Sequence, residues 1–295
     1  MLALTHGFGP ADAAAPGALP SPDLIALIRD RGLSEISGIA LSGRHADTFW
    51  VHNDSGNGPY LHAINRRGRR LATLHIDGVA ARDFEDMAAF ELDGRRYLLI
   101  ADTGDNGGVR TELELVVVEE PAVLADAKLH PAWTQRFRWP DGARDVEAVA
   151  VDAQAREVLL ISKKRVPPEL LRLPLGASDT LQTAAVVTTL HGIAPPPALE
   201  LAGNPRFGRY RSQITAADLS NDGLQLAVLN YRRAHVYRRS RGEDWARALA
   251  RDPIELPFGW AMQAEALAFD VDGDALWISG ERIPAPLIRV PLPER

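Results

Sequence analysis

Three glutamates head closely similar short runs, Glu85-Asp-Met-Ala-Ala, Glu147-Ala-Val-Ala-Val and Glu265-Ala-Leu-Ala-Phe, and a hydroxyl residue heads two more, Ser37-Gly-Ile-Ala-Leu and Thr215-Ala-Ala-Asp-Leu. Three carboxylates brought into one narrow space repel one another, and at least one must hold its proton unless a cation joins them. A hard divalent cation removes the conflict. Calcium takes about six to eight oxygen ligands in tolerant geometry, which carboxylates, hydroxyls and water from five such positions can supply; magnesium demands a stricter octahedron and suits the set less well. The alternative is that arginines such as Arg82 and Arg144 neutralise the glutamates.

A second polar set follows the next apolar run of each unit: Asp54, Asp102, Lys163, Tyr231 and Glu281, with Asn53, Asp105, Asn106, Lys164, Arg232 and Arg282 beside them. A metal, cationic donors and a carboxylate that orients water are the equipment for hydrolysing phosphate anhydrides or esters. On that chemistry Asp54, Asp102, Lys163 and Arg232 are the candidate catalytic residues, and the others read as solvated loop.

What must position these groups is a repeat. Each head residue opens a run of small and apolar residues, which a polar turn joins to a β-branched or aromatic run: Thr48 to Asp54, Tyr97 to Asp102, Val158 to Lys163, Leu226 to Tyr231 and Ala275 to Gly280. That is the pattern of a buried hairpin. Asp93-Gly94, Asp222-Gly223 and Asp272-Gly273 supply turn chemistry, and third and fourth strands can be read after most hairpins. Units start at 37, 85, 147, 215 and 265, at intervals of 48, 62, 68 and 50 residues. This spacing predicts an all-β, five-bladed β-propeller of four-stranded antiparallel blades. The last unit stops at its third strand, so Leu24 to Ile28 is expected to supply the fourth and close the ring. A β-sandwich is the competing fold, and a sixth blade between Leu190 and Ile214 the competing count, although the prolines there suit a loop better. Asp244 to Arg251 is the best short helical segment.

Residues 1–22 read as a flexible Ala/Pro-rich segment and 23–295 as one propeller domain. A formal net charge of −6 argues against a dedicated nucleic-acid binder, which needs a dominant basic surface. No apolar run is long enough to enter a membrane, and the lack of cysteine excludes disulfides and thiolate chemistry. The N-terminus has neither the basic nor the apolar region of a signal peptide, and the expectation is an exported, periplasmic protein whose signal is absent from this chain.

The set Trp50-Val-His-Asn-Asp-Ser-Gly56, Asp83-Phe-Glu-Asp-Met-Ala88, Ala101-Asp-Thr-Gly-Asp-Asn106 and Pro140-Asp-Gly-Ala-Arg-Asp-Val-Glu-Ala148 resembles an uncharacterised family of bacterial, often exported, β-propeller proteins. More remotely, the order of hydroxyl, two glutamates, hydroxyl and glutamate is similar to the calcium-activated nucleotidase (apyrase) family of five-bladed propellers with an axial calcium. That resemblance implies Ser37, Glu85, Glu147, Thr215 and Glu265 as calcium ligands, with Thr215 departing from the serine of the family pattern. The nucleotidase's base-stacking and phosphate-binding residues have no counterparts that align.

Other motifs are set aside. Asp54-Ser-Gly and Asp102-Thr-Gly mimic aspartic-protease triplets, but they lie too close together to build two lobes. Asp270, Asp272, Asp274 and Glu281 match EF-hand spacing without the required glycine, because Ala275 takes its place. The function expected is a calcium-binding propeller with a hydrolase-like pocket for a phosphorylated or otherwise anionic small molecule. Its rival is a non-catalytic propeller that binds a protein or glycan around a structural calcium. A lactonase-like metal propeller fits less well, because its ligands resemble one glutamate with asparagine and aspartate.

Overall fold

Strand-forming runs of small, β-branched and aromatic residues alternate with tight turns along most of the chain, and in the computed structural model they fold into five small sheets around a common axis. The structure describes residues 19–259 and 261–294. Most of the Ala/Pro-rich segment expected to be flexible lies outside these residues.

The first blade runs outward from the axis through Ile36–Leu41, Thr48–Asn53, Tyr60–Asn65 and Arg70–Ile76. The second is Phe84–Leu92, Arg95–Asp102, Leu113–Glu119 and Trp133–Arg138. The third is Val146–Asp152, Glu157–Ser162, Glu169–Pro174 and Ala185–Thr189. The fourth is Ile214–Leu219, Gln225–Asn230, Ala234–Arg238 and Ile254–Leu256. The fifth contains Ala264–Phe269, Ala275–Gly280 and Ala285–Pro291, and its outer strand is Asp23–Ile28, antiparallel to Ala285–Pro291. This is the closing strand that the three-stranded last unit called for.

Two short strands were not legible in the repeat: Ala127–Leu129 and Ser178–Thr183 add in parallel to the outer strands of the first and second blades. Each comes from the connection inside the following blade, so both blades have their outer edges covered by a neighbour. The stretch between the third and fourth blades is no sixth blade. It holds a short helix, Ala198–Gly203, and a single 3-10 turn at Gly208–Tyr210. The helix expected near Asp244 is one turn, Trp245–Ala248, with Asp244 accepting from Arg247 N.

The core is divided among the blade interfaces. Five apolar clusters lie between successive blades, and the one built from Ile28, Ile36, Phe49, Ala266 and Trp277 joins the fifth blade to the first. Crowding near the axis explains why inner strands are rich in alanine. At Gly38 an added Cβ would lie 2.3 Å from Nε2 of the fully buried His52.

Every inner strand also carries one irregularity. The pairing with the second strand slips between Ile36 and Gly38, Phe84 and Met87, Val146 and Ala148, Ile214 and Ala216, and Ala264 and Ala266. The residues left unpaired are Ser37, Glu85 with Asp86, Glu147, Thr215 and Glu265. A β-bulge re-aims its side chain out of the strand's alternation, and here five bulges stand at one level around the axis.

Ring closure makes a stability prediction. Ile28 is fully buried in the closing cluster, so Ile28→Ala is expected to cost about 2–5 kcal/mol, whereas Leu24→Ala, at a position 60% exposed, should stay within about 0.5 kcal/mol of the parent. Denaturant unfolding of the two variants checks this, and removal of residues 1–30, but not of 1–18, should lower the melting temperature strongly.

Candidate metal centre at one mouth of the channel

The five bulge residues are all buried, none more than 9% exposed. They do not all face one point. Ser37 donates its hydroxyl to the backbone carbonyl of Glu85, and Thr215 donates to Ala264 O at 2.8 Å, so both hydroxyls tie one blade to the next. Thr103 does the same from the second blade to Val146 O of the third. Glu265 accepts from the Tyr231 hydroxyl at 2.5 Å and shares a hydrogen bond with Glu281. Only Glu85 and Glu147 of the expected ring share a carboxylate cluster.

That cluster is completed by residues at the position two before each bulge. Asp83-Phe-Glu85 and Asp145-Val-Glu147 repeat an Asp-x-Glu spacing, and the equivalent residues in the other blades are Glu35, Gln213 and Gln263. Glu85, Asp145 and Glu147 bring carboxylate oxygens within 4.8 Å of one another, all three buried, and Asp54, Asp83 and Glu85 form a second such group. Glu85 belongs to both. A loop closes over it: a Cβ at Gly104 would lie 2.1 Å from Glu85 Oε1 and 2.2 Å from Asp83 Oδ2, so only glycine lets the backbone come this close.

Cations reach the cluster from one side. The Lys163 ammonium contacts Glu147 and lies 3.9 Å from Asp145 Oδ2, and Lys164 sits 2.9 Å from the same oxygen while also donating to Asn106 O. Lysines thus face Glu147 and Asp145, while the Arg110 guanidinium acts on Asp83. Arg144 instead pairs with Asp141 and Glu169. Five carboxylates against two ammonium groups and a guanidinium shared with Asp102 leave the cluster short of positive charge. Burial pushes Glu85 well above the usual carboxylate range and Asp83 up to about 6, and in both cases neighbouring carboxylates push the same way. Asp54 rises too, first through burial and then through Glu35 and Asp145, with Lys163 opposing. Burial raises both Glu265 and Glu281; Glu281 adds to the rise of Glu265, whereas the hydrogen bond with Glu265 opposes that of Glu281, to which Asp54 and Glu35 add.

Of the four residues with expected catalytic roles, Asp54 and Lys163 are at the cluster. Asp102 has its carboxylate occupied by Arg82 N at 3.0 Å, Asp83 N at 3.2 Å and the Arg110 guanidinium at 2.9 Å. It fixes the turn that delivers Asp83, and at 1% exposure its carboxylate is committed to these contacts. Arg232 pairs with Glu200 of the short helix at 3.4 Å, away from the glutamates. Missed from the sequence were Asp83, Asp145 and Gly104, and the doubled Asp-x-Glu was the signal that could have found the first two.

No family model matches the chain, and no curated protein matches it. Among solved structures, a U3-55K structure covers 87% of this chain and 68% of its own at 14% identity and a TM-score of 0.43. The PQQ-bound form of an aldose sugar dehydrogenase from Streptomyces coelicolor covers 94% of this chain and 100% of its own at 12% identity and a TM-score of 0.50. At that identity the second likeness supports the β-propeller fold alone, and the neighbour is no hydrolase.

The clamp on Asp102 is testable. Asp102→Asn removes one partner of a buried, hydrogen-bonded ion pair, and the expected cost is about 3–5 kcal/mol of folding stability. Denaturant unfolding measures it; a variant as stable as the parent would return Asp102 to the catalytic list.

Proposed function

We propose that this protein is a calcium-binding β-propeller that receives an anionic small molecule at the mouth holding Glu85. The observation that carries this reading is the sharing of the buried Glu85 by two carboxylate groups, one buried and one half-buried, under the Gly104 turn. Glu85, Asp145 and Glu147 would hold the ion, with Asp54 and Asp83 next to it. These are hard oxygen donors in the number and flexibility that calcium accepts, and the charge deficit of the cluster is what a divalent cation offsets. Bound calcium would supply positive charge and free coordination positions for phosphate or carboxylate oxygens. Lys163, which contacts Glu147, would turn toward such an anion.

Two of the four groups expected to carry hydrolysis are engaged elsewhere, Asp102 by Arg110 and Arg232 by Glu200. The remaining equipment, Asp54 and Lys163, suits recognition of an anion and leaves phosphoester or phosphoanhydride hydrolysis as a second activity to assay. No helix among the described residues is long and apolar enough to cross a membrane.

Calcium at about one hundred times its dissociation constant should add about 2.7 kcal/mol to stability. Thermal unfolding in calcium and in chelator is expected to differ accordingly, and Glu147→Gln should remove most of the difference. Pyrophosphate binding followed by calorimetry should need calcium and weaken in Lys163→Met. A melting temperature indifferent to calcium would overturn the metal reading, and absence of anion binding with calcium saturating would favour the structural-calcium propeller that docks a protein or glycan.

A further inference from the structure

The opposite mouth of the channel opens into a cavity of about 510 Å³ walled by residues from all five blades. About half of its lining is polar or charged, and an apolar collar runs round it at one level. Leu41, Phe90, Val151, Leu219 and Phe269 stand at the same level of the five inner strands, each the fourth residue past the bulge, and all line the cavity. One residue earlier, four blades carry alanine, Ala40, Ala89, Ala150 and Ala268. The fourth blade carries Asp218, whose carboxylate forms part of the cavity lining.

The other carboxylates around this cavity have partners. Asp152 meets Arg239 at 2.6 Å, Asp270 meets Arg289 at 3.2 Å, Glu91 lies 3.6 Å from Arg96, and Glu120 accepts from Trp50 Nε1 at 2.8 Å and from the Ser42 hydroxyl. Asp218 accepts only backbone amides, Phe269 N at 2.7 Å and Leu219 N at 2.8 Å. Among the described residues no cation pairs with it. An ionised carboxylate offers about four acceptor positions, so about two remain. A half-buried charge in this state is costly unless a counter-ion arrives, and desolvation pushes Asp218 up to about 7.

We propose that this cavity binds a small organic ammonium ion, with the ammonium on Asp218 and an alkyl or alicyclic body inside the collar of Leu41, Phe90, Val151, Leu219 and Phe269. Cavities of roughly 300–1,000 Å³ that combine apolar walls with a few placed polar groups are the usual form of small-molecule sites. A metal ion is the poorer occupant, because one free carboxylate and an apolar collar do not supply a coordination shell. The site lies at the far end of the channel from Glu85 and does not depend on calcium.

The test is calorimetric titration with propylammonium, hexylammonium and cyclohexylammonium chlorides, with hexanol as the uncharged control. Chelator is present throughout, and the buffer is held at about pH 8 so that the Asp218 carboxyl is ionised. Hexylammonium and cyclohexylammonium are expected to bind more tightly than propylammonium, and hexanol far more weakly. Asp218→Ala, which gives the fourth blade the residue of the other four, should weaken hexylammonium by about tenfold or more, while Glu147→Gln should leave it unchanged. If the alanine variant does not fold, Asp218→Asn is read in its place. Absence of binding by every ammonium, equal binding of hexanol, or binding indifferent to Asp218 would each overturn the proposal.

Discussion

The interaction on which the ring depends is made by Asp86. Its fully buried carboxylate accepts from Met87 N in its own blade, from Val149 N in the third blade at 2.8 Å and from Ala217 N in the fourth at 3.0 Å. Inner strands have a paired edge and an edge that faces the channel, and no further strand can enter to pair it. Buried amides left without acceptors are costly. One carboxylate at the axis satisfies three of them and so joins three blades. Burial still holds the Asp86 carboxyl well above its ordinary range, although the three amides pull it down. Asp218 repeats the device one level further along, on Leu219 and Phe269.

This constraint separates the channel into two ends with different chemistry. Asp86 fills the middle. On one side the bulges lift Glu85 and Glu147 toward the mouth, and the preceding residues Asp83 and Asp145 follow them. The other side has a mixed lining, in which an apolar collar lies beside Asp218. Both ends are short of positive charge, but only the first gathers enough oxygen ligands for a metal ion. The bulges therefore do two things at once: they interrupt pairing where the blades crowd, and they aim polar side chains where strand alternation would bury them between blades.

The asymmetry among blades matters as much as their likeness. Lys163 and Tyr231 occupy equivalent positions after the second strands of the third and fourth blades. Lys163 meets Glu147 in its own blade, whereas Tyr231 reaches Glu265 in the next. One contact brings charge to a carboxylate cluster; the other supplies a neutral donor to a glutamate pair. Glu265 is consequently drawn toward Glu281 and Gln263, which donates to Glu281 at 2.5 Å, and not toward Glu85.

The sequence alone determined the blade count, the order of strands and the strand that closes the ring, because these follow from local periodicity and turn chemistry, and Leu24 to Ile28 was the one unassigned apolar run available for an open edge. It also placed Ser37, Glu85, Glu147, Thr215 and Glu265 at equivalent positions. The parallel strands Ala127–Leu129 and Ser178–Thr183 escaped notice because each is stabilised by the edge of another blade and not by its own pattern. Only the tertiary structure decided which equivalent residues share a pocket. Adjacent blades bring Glu85 and Glu147 together, hydrogen bonds turn Ser37 and Thr215 toward neighbouring backbones, and the ion pair with Arg110 withdraws Asp102. A side chain's partner is set by what approaches it in space, whether from the next blade, as Glu147 approaches Glu85, or from a loop of its own, as Arg110 approaches Asp102.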